Sequence, residues 1–247
     1  MILRTLVKIY YRNRSVLAVL LVLLAFTALG IFRPNILVQF GWEQNPKFYI
    51  ANYASFFFWF TTAALCFPLF LVLLQPQIHF FEQETVFFRL SSKRRWWLLR
   101  LGCAAVSAIL YVVLLYVLMF VRAAAFGQMA HYAGNAFFFL QAFVSQCITY
   151  TFLAFVYLLF AQIFSSRILG CVISYGLILY DYVILMGGLD GFASSGVLQA
   201  ISVRMETSST YGINLVRILI YIVAVVVIGM LRCPKYDCLP KEKGEQK

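Results

Sequence analysis

Residues 75–100, QPQIHFFEQETVFFRLSSKRRWWLLR, decide how the rest of the chain is read. Glu82 and Glu84 are two of the nine acidic residues, and Arg89, Lys93, Arg94, Arg95 and Arg100 are five of the twenty basic ones. Long apolar runs flank this polar stretch on both sides. A charged segment between two membrane-length runs is a loop, and its excess of Lys and Arg places it on the cytoplasmic side.

Working outward, 63% of the 247 residues are apolar and 12% are charged, too few charges to cover a soluble domain of this size. A helix needs roughly 20 apolar residues to cross a hydrocarbon core about 30 Å thick. Windows of that kind fall at about 16–32, 49–74, 101–121, 136–164, 168–186 and 213–231. They are continuous rather than alternating, which selects helices over a barrel. The expected fold is an all-α integral membrane protein with six transmembrane helices forming one transmembrane domain over 1–247.

The net charge of +11 is a topology signal rather than a nucleic-acid footprint. With the N-terminus inside, the inner segments hold Arg4, Lys8, Arg12 and Arg14, then the five bases of the opening stretch, then Arg167. Arg232, Lys235, Lys241, Lys243 and Lys247 follow in the tail, 232–247. The outer side keeps Arg33, Lys47, Arg122, Arg204 and Arg217. That bias puts both termini in the cytoplasm of a cell-membrane protein, with its basic side attracted to anionic lipid. Residues 1–14 read as an interfacial helix, with Ile2, Leu3, Leu6, Ile9 and Tyr10 on one side and Arg4, Lys8 and Arg12 on another. Cys66, Cys103, Cys147 and Cys171 fall inside spans as small apolar groups, and none marks an outer disulfide.

Several positions carry more specific expectations. Pro68 predicts a kink in the second span. Gln75-Pro76 predicts the end of that span, with a short helix following over 79–90. Trp96-Trp97 predict an interface anchor before the third span. The fourth span carries Gln141, Ser145, Gln146 and Gln162, amides and hydroxyls that must face other helices or a polar path. Asp181 is the one carboxylate well inside an apolar run, and with Gln141 and Gln146 it is the candidate for a transport path or gate. In the long outer loop before the last span, 197–205 predicts a short helix dipping into the interface.

Chemical machinery is scarce. The chain has no Gly-rich phosphate loop ending in Gly-Lys-Ser/Thr and no His-Glu-x-x-His stretch, and its two histidines are expected on opposite sides of the membrane. Catalytic residues, a cofactor and a metal site are therefore not expected in this chain.

At residues 82–100 a resemblance becomes nameable. Glu82-Gln83-Glu84-Thr85 followed by Leu90-Ser91-Ser92-Lys93-Arg94 resembles the acidic, then small, then basic step of the cytoplasmic coupling helix in permease subunits of type-2 ABC exporters. The family's glycine and proline positions are occupied here by Val86-Phe87 and Ser92. The resemblance implies a coupling segment over 75–100 between spans two and three, in a transport subunit without ATPase chemistry of its own. It also implies a second permease, identical or related, and a dimer of separate ABC ATPase subunits that bind ATP and Mg. The residues it assigns to ATPase contact are Phe81, Glu82, Glu84, Phe88 and Arg89. It points to ATP-driven export of a peptide or amphipathic, lipid-like compound, including self-protection against antimicrobial peptides. The alternatives are an ATPase-independent channel or substrate-capture subunit, in which Asp181 dominates, and an integral-membrane enzyme.

Overall fold

The computed structural model describes residues 10, 13–32, 52–53, 56–82, 92–125, 127, 129–188, 194–201 and 208–232. Among them every regular element is helical, and there is no strand. Helix α1 is Arg14–Phe32. A single turn, Trp59–Thr61, leads into a π-helical turn, Thr62–Cys66, and then into α2, Phe67–Phe81. Helix α3 is Lys93–Ala125, α4 is Met129–Gly134 and α5 is Ala136–Ile163. Helix α6 is Arg167–Met186, α7 is Val197–Ile201 and α8 is Ser208–Arg232.

Among the described residues five segments are long and apolar enough to cross a membrane: Thr62–Phe81, Lys93–Ala125, Ala136–Ile163, Arg167–Met186 and Gly212–Arg232. Helix α1 falls where the first span is expected, and its described apolar stretch, Arg14–Thr27, is shorter than these five. Of the interfacial helix expected over 1–14, only Tyr10, Asn13 and Arg14 lie among the described residues. Their anchor is clear: the Tyr10 hydroxyl is 2.9 Å from the Ser107 hydroxyl on α3. The tail, 233–247, lies outside the described residues.

Helix α5 is the axis of the bundle. It packs against α3, α6, α7 and α8, and 67% of its apolar window is buried, against 28% for α6 and 22% for α8. The outer faces of α6 and α8 expose Val172, Val183, Ile213, Val216, Ile220 and Val223, the surface that lipid covers. Two glycines set helix spacing. A Cβ on Gly170 would lie 2.9 Å from both the Ala161 Cβ and the Tyr157 carbonyl, so α6 crosses α5 in backbone contact there. A Cβ on Gly229 would lie 2.3 Å from the Trp97 ring, which is how α8 accommodates an indole from α3.

Three expectations about boundaries are corrected. The second span does not stop at Gln75-Pro76, because α2 continues through Pro76 to Phe81. Proline costs one backbone bond there, but Gln77, Ile78 and Phe81 beyond it are buried and hold the helix together. Gln77 Nε2 donates to the Arg100 carbonyl at 3.2 Å, and Trp96 Nε1 donates to the Phe81 carbonyl at 3.0 Å. The short helix expected over 79–90 is therefore part of α2 as far as Phe81, and 83–90 lie outside the described residues. The helix of the third span starts at Lys93 and so includes the basic cluster Lys93-Arg94-Arg95, and at about 1.5 Å per residue its 33 residues reach well beyond a hydrocarbon core. Trp96 and Trp97 are not interface anchors: both are buried in the bundle, with the Arg100 guanidinium 5.1 Å from the Trp96 ring.

The expected break at Pro68 takes a definite form. Proline brings no N–H to the preceding turn, and its ring crowds the carbonyl four residues back. The chain widens just before it into the π turn, in which the Phe67 N–H reaches five residues back to the Thr62 carbonyl.

Replacing Gly170 by Val forces α5 and α6 apart and lowers stability by about 1–3 kcal/mol, whereas Gly176→Val, which meets open space, changes it by less than about 0.5 kcal/mol. Thermal unfolding in detergent checks both. A second prediction concerns alkali. Burial pushes the Tyr10 hydroxyl up to about 12, against the Ser107 hydrogen bond. It does the same to Tyr132 on α4, opposed by Asn52 and Arg122. Both raise the folded-state affinity for the proton, so their contribution is complete below the unfolded value of about 10 and is lost as pH rises towards 12. Unfolding midpoints are expected to fall over that window, and less steeply in Tyr10→Phe.

Candidate functional site

One end of the bundle contains a site built around the five residues Val197–Ile201. Helix α7 is too short to satisfy its own backbone, and Val197, Leu198, Ala200 and Ile201 are all buried. Three neighbouring helices supply the missing partners. From α6, the buried Asp181 carboxylate accepts from Ser195 N–H at 2.7 Å and Leu198 N–H at 2.9 Å. It also accepts from the hydroxyls of Ser194 at 3.1 Å and Ser195 at 2.8 Å. From α5, Ser145 Oγ donates to the Ala200 carbonyl at 2.7 Å and Gln146 Nε2 donates to the Ile201 carbonyl at 2.8 Å. From α8, Asn214 Nδ2 donates to Gln199 Oε1 at 3.0 Å, and Arg217 Nη1 donates to the Ser194 carbonyl at 3.1 Å.

Gly196 makes the entry into α7 possible. Its φ of +79° is left-handed, and a Cβ there would lie 2.9 Å from Asn214 Oδ1. The Gly196 N–H bonds Ser194 Oγ at 3.0 Å, completing the turn. The four hydrogen bonds leave both side-chain oxygens of the buried Asp181 satisfied by the protein itself.

Of the three residues offered for a transport path or gate, Asp181 and Gln146 both bond to the segment that carries α7. Asp181 holds its beginning and Gln146 its end, and Gln146 also donates to the Tyr53 hydroxyl at 2.9 Å. Gln141, five residues earlier on α5, is half-buried, and five residues of helix turn it to a different face from Gln146. The short helix expected over 197–205 is found as Val197–Ile201, and 202–207 lie outside the described residues. Ser145, Ser194, Ser195, Asn214 and Arg217 were not singled out as site residues. Ser194-Ser195 ahead of an apolar run was a readable helix-start signal. The others needed the packing.

At the opposite end of the bundle, where α2 ends and α3 and α6 begin, the coupling candidates separate. Phe81 is buried, with its ring 5.5 Å from Phe80, and so forms part of the bundle rather than of an exposed docking face. Glu82 follows at the end of α2 and forms an ion pair with Arg167 at the start of α6, with both side chains partly exposed. Arg94 and Arg95 are exposed on the first turn of α3. Glu84, Phe88 and Arg89 lie outside the described residues. Among the described residues no group of three His, Cys, Asp or Glu is placed to hold a metal ion.

Comparison of the chain with family models, curated proteins and solved structures finds no match.

Asp181→Asn replaces one acceptor oxygen by an NH2 that faces a backbone N–H and a serine hydroxyl, so it is expected to free α7 at a cost of roughly 1–3 kcal/mol. Faster deuterium exchange in the peptide covering 194–201, with α5 unchanged, is the expected signature. A carboxylate serving only a transport path would alter flux and leave that exchange untouched.

Proposed function

We propose that this chain is the permease subunit of a type-2 ABC exporter in the cell membrane, with six spans, α1 included, and with ATP and Mg bound by separate ATPase subunits. The observation that supports this best is the construction of the inner end. Helix α2 runs unbroken to Phe81, α3 starts at Lys93, and the Trp96–Phe81 bond ties the two together at their tips. The acidic–small–basic segment thus connects two long helices whose ends are bonded to each other, a position from which a soluble partner can push on the bundle. Glu82–Arg167 and the Gln75 Nε2 to Cys171 Sγ contact at 3.3 Å extend that connection to α6.

In this reading a dimer of ATPases docks on the connecting segments of two permeases, identical or related. Movement imposed there travels through α2, α3 and α6 as rigid elements. Helix α7, pinned by Asp181 and Gln146, closes the outer side of the path and is moved by α5, α6 and α8 together. The exported compound is of the peptide or amphipathic, lipid-like class, with self-protection against antimicrobial peptides as one use. Pinning α7 gives Asp181 work that needs no conducted ion, which favours the exporter over an ATPase-independent channel.

Purification from the native cell is expected to bring down a stoichiometric soluble ATPase, and changing both Glu82 and Glu84 to Ala is expected to weaken that association. The swapped variant Glu82→Arg with Arg167→Glu keeps the internal ion pair but reverses the charge shown to a partner. Loss of the ATPase in the swap identifies Glu82 as a contact. Retention there, with loss in the Ala variant, assigns its role to the α2–α6 link. A chain recovered alone from wild-type cells overturns the exporter reading.

A further inference from the structure

The π turn Thr62–Cys66 sits between two parts of the same span that are both bonded to α3 but at its opposite ends, with α4 and α5 adding to the first part and α6 to the second. Above it, Asn52 Nδ2 donates to the Met119 carbonyl at 3.1 Å and to the Tyr132 hydroxyl at 2.6 Å, and Tyr53 is held by Gln146. Below it, α2 is fastened to the inner ends of α3 and α6 through Gln77, Phe81 and Glu82. A wide turn next to Pro68, which gives no N–H, is the weakest backbone in the span.

Two tyrosines face this weak point. Tyr111 on α3 donates its hydroxyl to the Cys66 carbonyl at 2.6 Å. Tyr150 on α5 has its ring 5.5 Å from Tyr111 and 5.2 Å from Phe70. It is fully buried, yet its hydroxyl has no hydrogen-bond partner among the described residues, and neither has Thr62 Oγ1 in the turn itself. A buried idle hydroxyl costs free energy unless some other arrangement uses it. The group it can reach when α2 tilts is the backbone of the turn that Tyr111 now holds.

We propose that Thr62–Cys66 is a hinge with two alternative latches, Tyr111 on α3 in this arrangement and Tyr150 on α5 when the inner part of the span pivots. One carbonyl exchanged between two hydroxyls makes the pivot a two-state step, because at the end of either excursion the turn has a donor. The hinge itself is independent of any ATPase. Its use, conversion of a push at Glu82 into movement of α2 against α5, rests on the exporter reading.

The test is deuterium exchange of the isolated chain in lipid nanodiscs, read in peptides covering residues 59–70, without any partner. Tyr150→Phe alone is expected to leave exchange within about twofold of wild type, since its hydroxyl is idle in this state. Tyr111→Phe raises it by only about two- to threefold because Tyr150 takes the carbonyl, whereas the double variant raises it by about tenfold or more. Pro68→Ala restores the backbone donor and slows exchange. Single-variant effects that multiply to the double, a Tyr111→Phe value equal to the double, or a Pro68→Ala variant that exchanges like wild type each overturn the hinge. Since no ATPase is present, these results stand apart from the pull-down that decides the exporter reading.

Discussion

Lipid gives no hydrogen bonds, and three places where helix widens, ends or is very short, the π turn, the Phe81 end of α2 and α7, are arranged around that constraint. In each, a side chain from a neighbouring helix donates to a backbone carbonyl. Tyr111 serves Cys66, Trp96 serves Phe81, and Ser145 and Gln146 serve Ala200 and Ile201. The polar residues of the bundle are thus largely repairs to its backbone, spent where a functional break was needed. Asp181 is the same device with the sign reversed, since the beginning of a short helix presents N–H groups and requires acceptors.

This explains which parts were legible in the sequence. The helices observed where spans four and five are expected have nearly the same limits, Ala136–Ile163 against 136–164 and Arg167–Met186 against 168–186. Their limits coincide with a polar turn at 164–166, where hydropathy and structure change together. The second and third spans were misjudged at their inner ends because helix there continues past the apolar run. Pro76 and the cluster Lys93-Arg94-Arg95 look like boundaries to any reading that equates helix with lipid. Tertiary bonds from Gln77 and Trp96 override that signal, and sequence spacing holds no trace of them. Likewise Trp96-Trp97 read as interface residues from composition, whereas Gly229, some 130 positions away, makes the room that buries one of them.

The candidate site was legible in kind but not in role. An acid and an amide inside apolar runs do mark a place where the bundle departs from plain hydrocarbon packing, and both proved to belong to one assembly. A carboxylate in a membrane span has two ways to offset its desolvation: water along a path, or a full set of protein donors. Distinguishing them requires knowing that Ser194, Ser195 and Leu198 fold back onto α6, a contact made across a loop. Pairing by the protein itself also changes what Asp181 can do. A carboxylate holding four donors is a joint, and it can act in transport only by letting go of α7 as a unit.

The position of the breaks along the bundle gives the last constraint. The inner end, the π turn and α7 lie at successive depths, and α5 borders the upper two through Tyr150 and through Ser145 and Gln146. Gln146 and Tyr150 are four residues apart, one turn on one face of that helix. Any tilt of α2 that reaches Tyr150 is therefore delivered to the same stripe of α5 that holds the end of α7. The remaining link to the inner end is Gly170, where α6 meets α5 at Tyr157 and Ala161 with no side chain between the backbones. Close contact of this kind transmits displacement without absorbing it in side-chain rotamers, which is why the least conspicuous residue of α6 bears directly on how its buried acid can move.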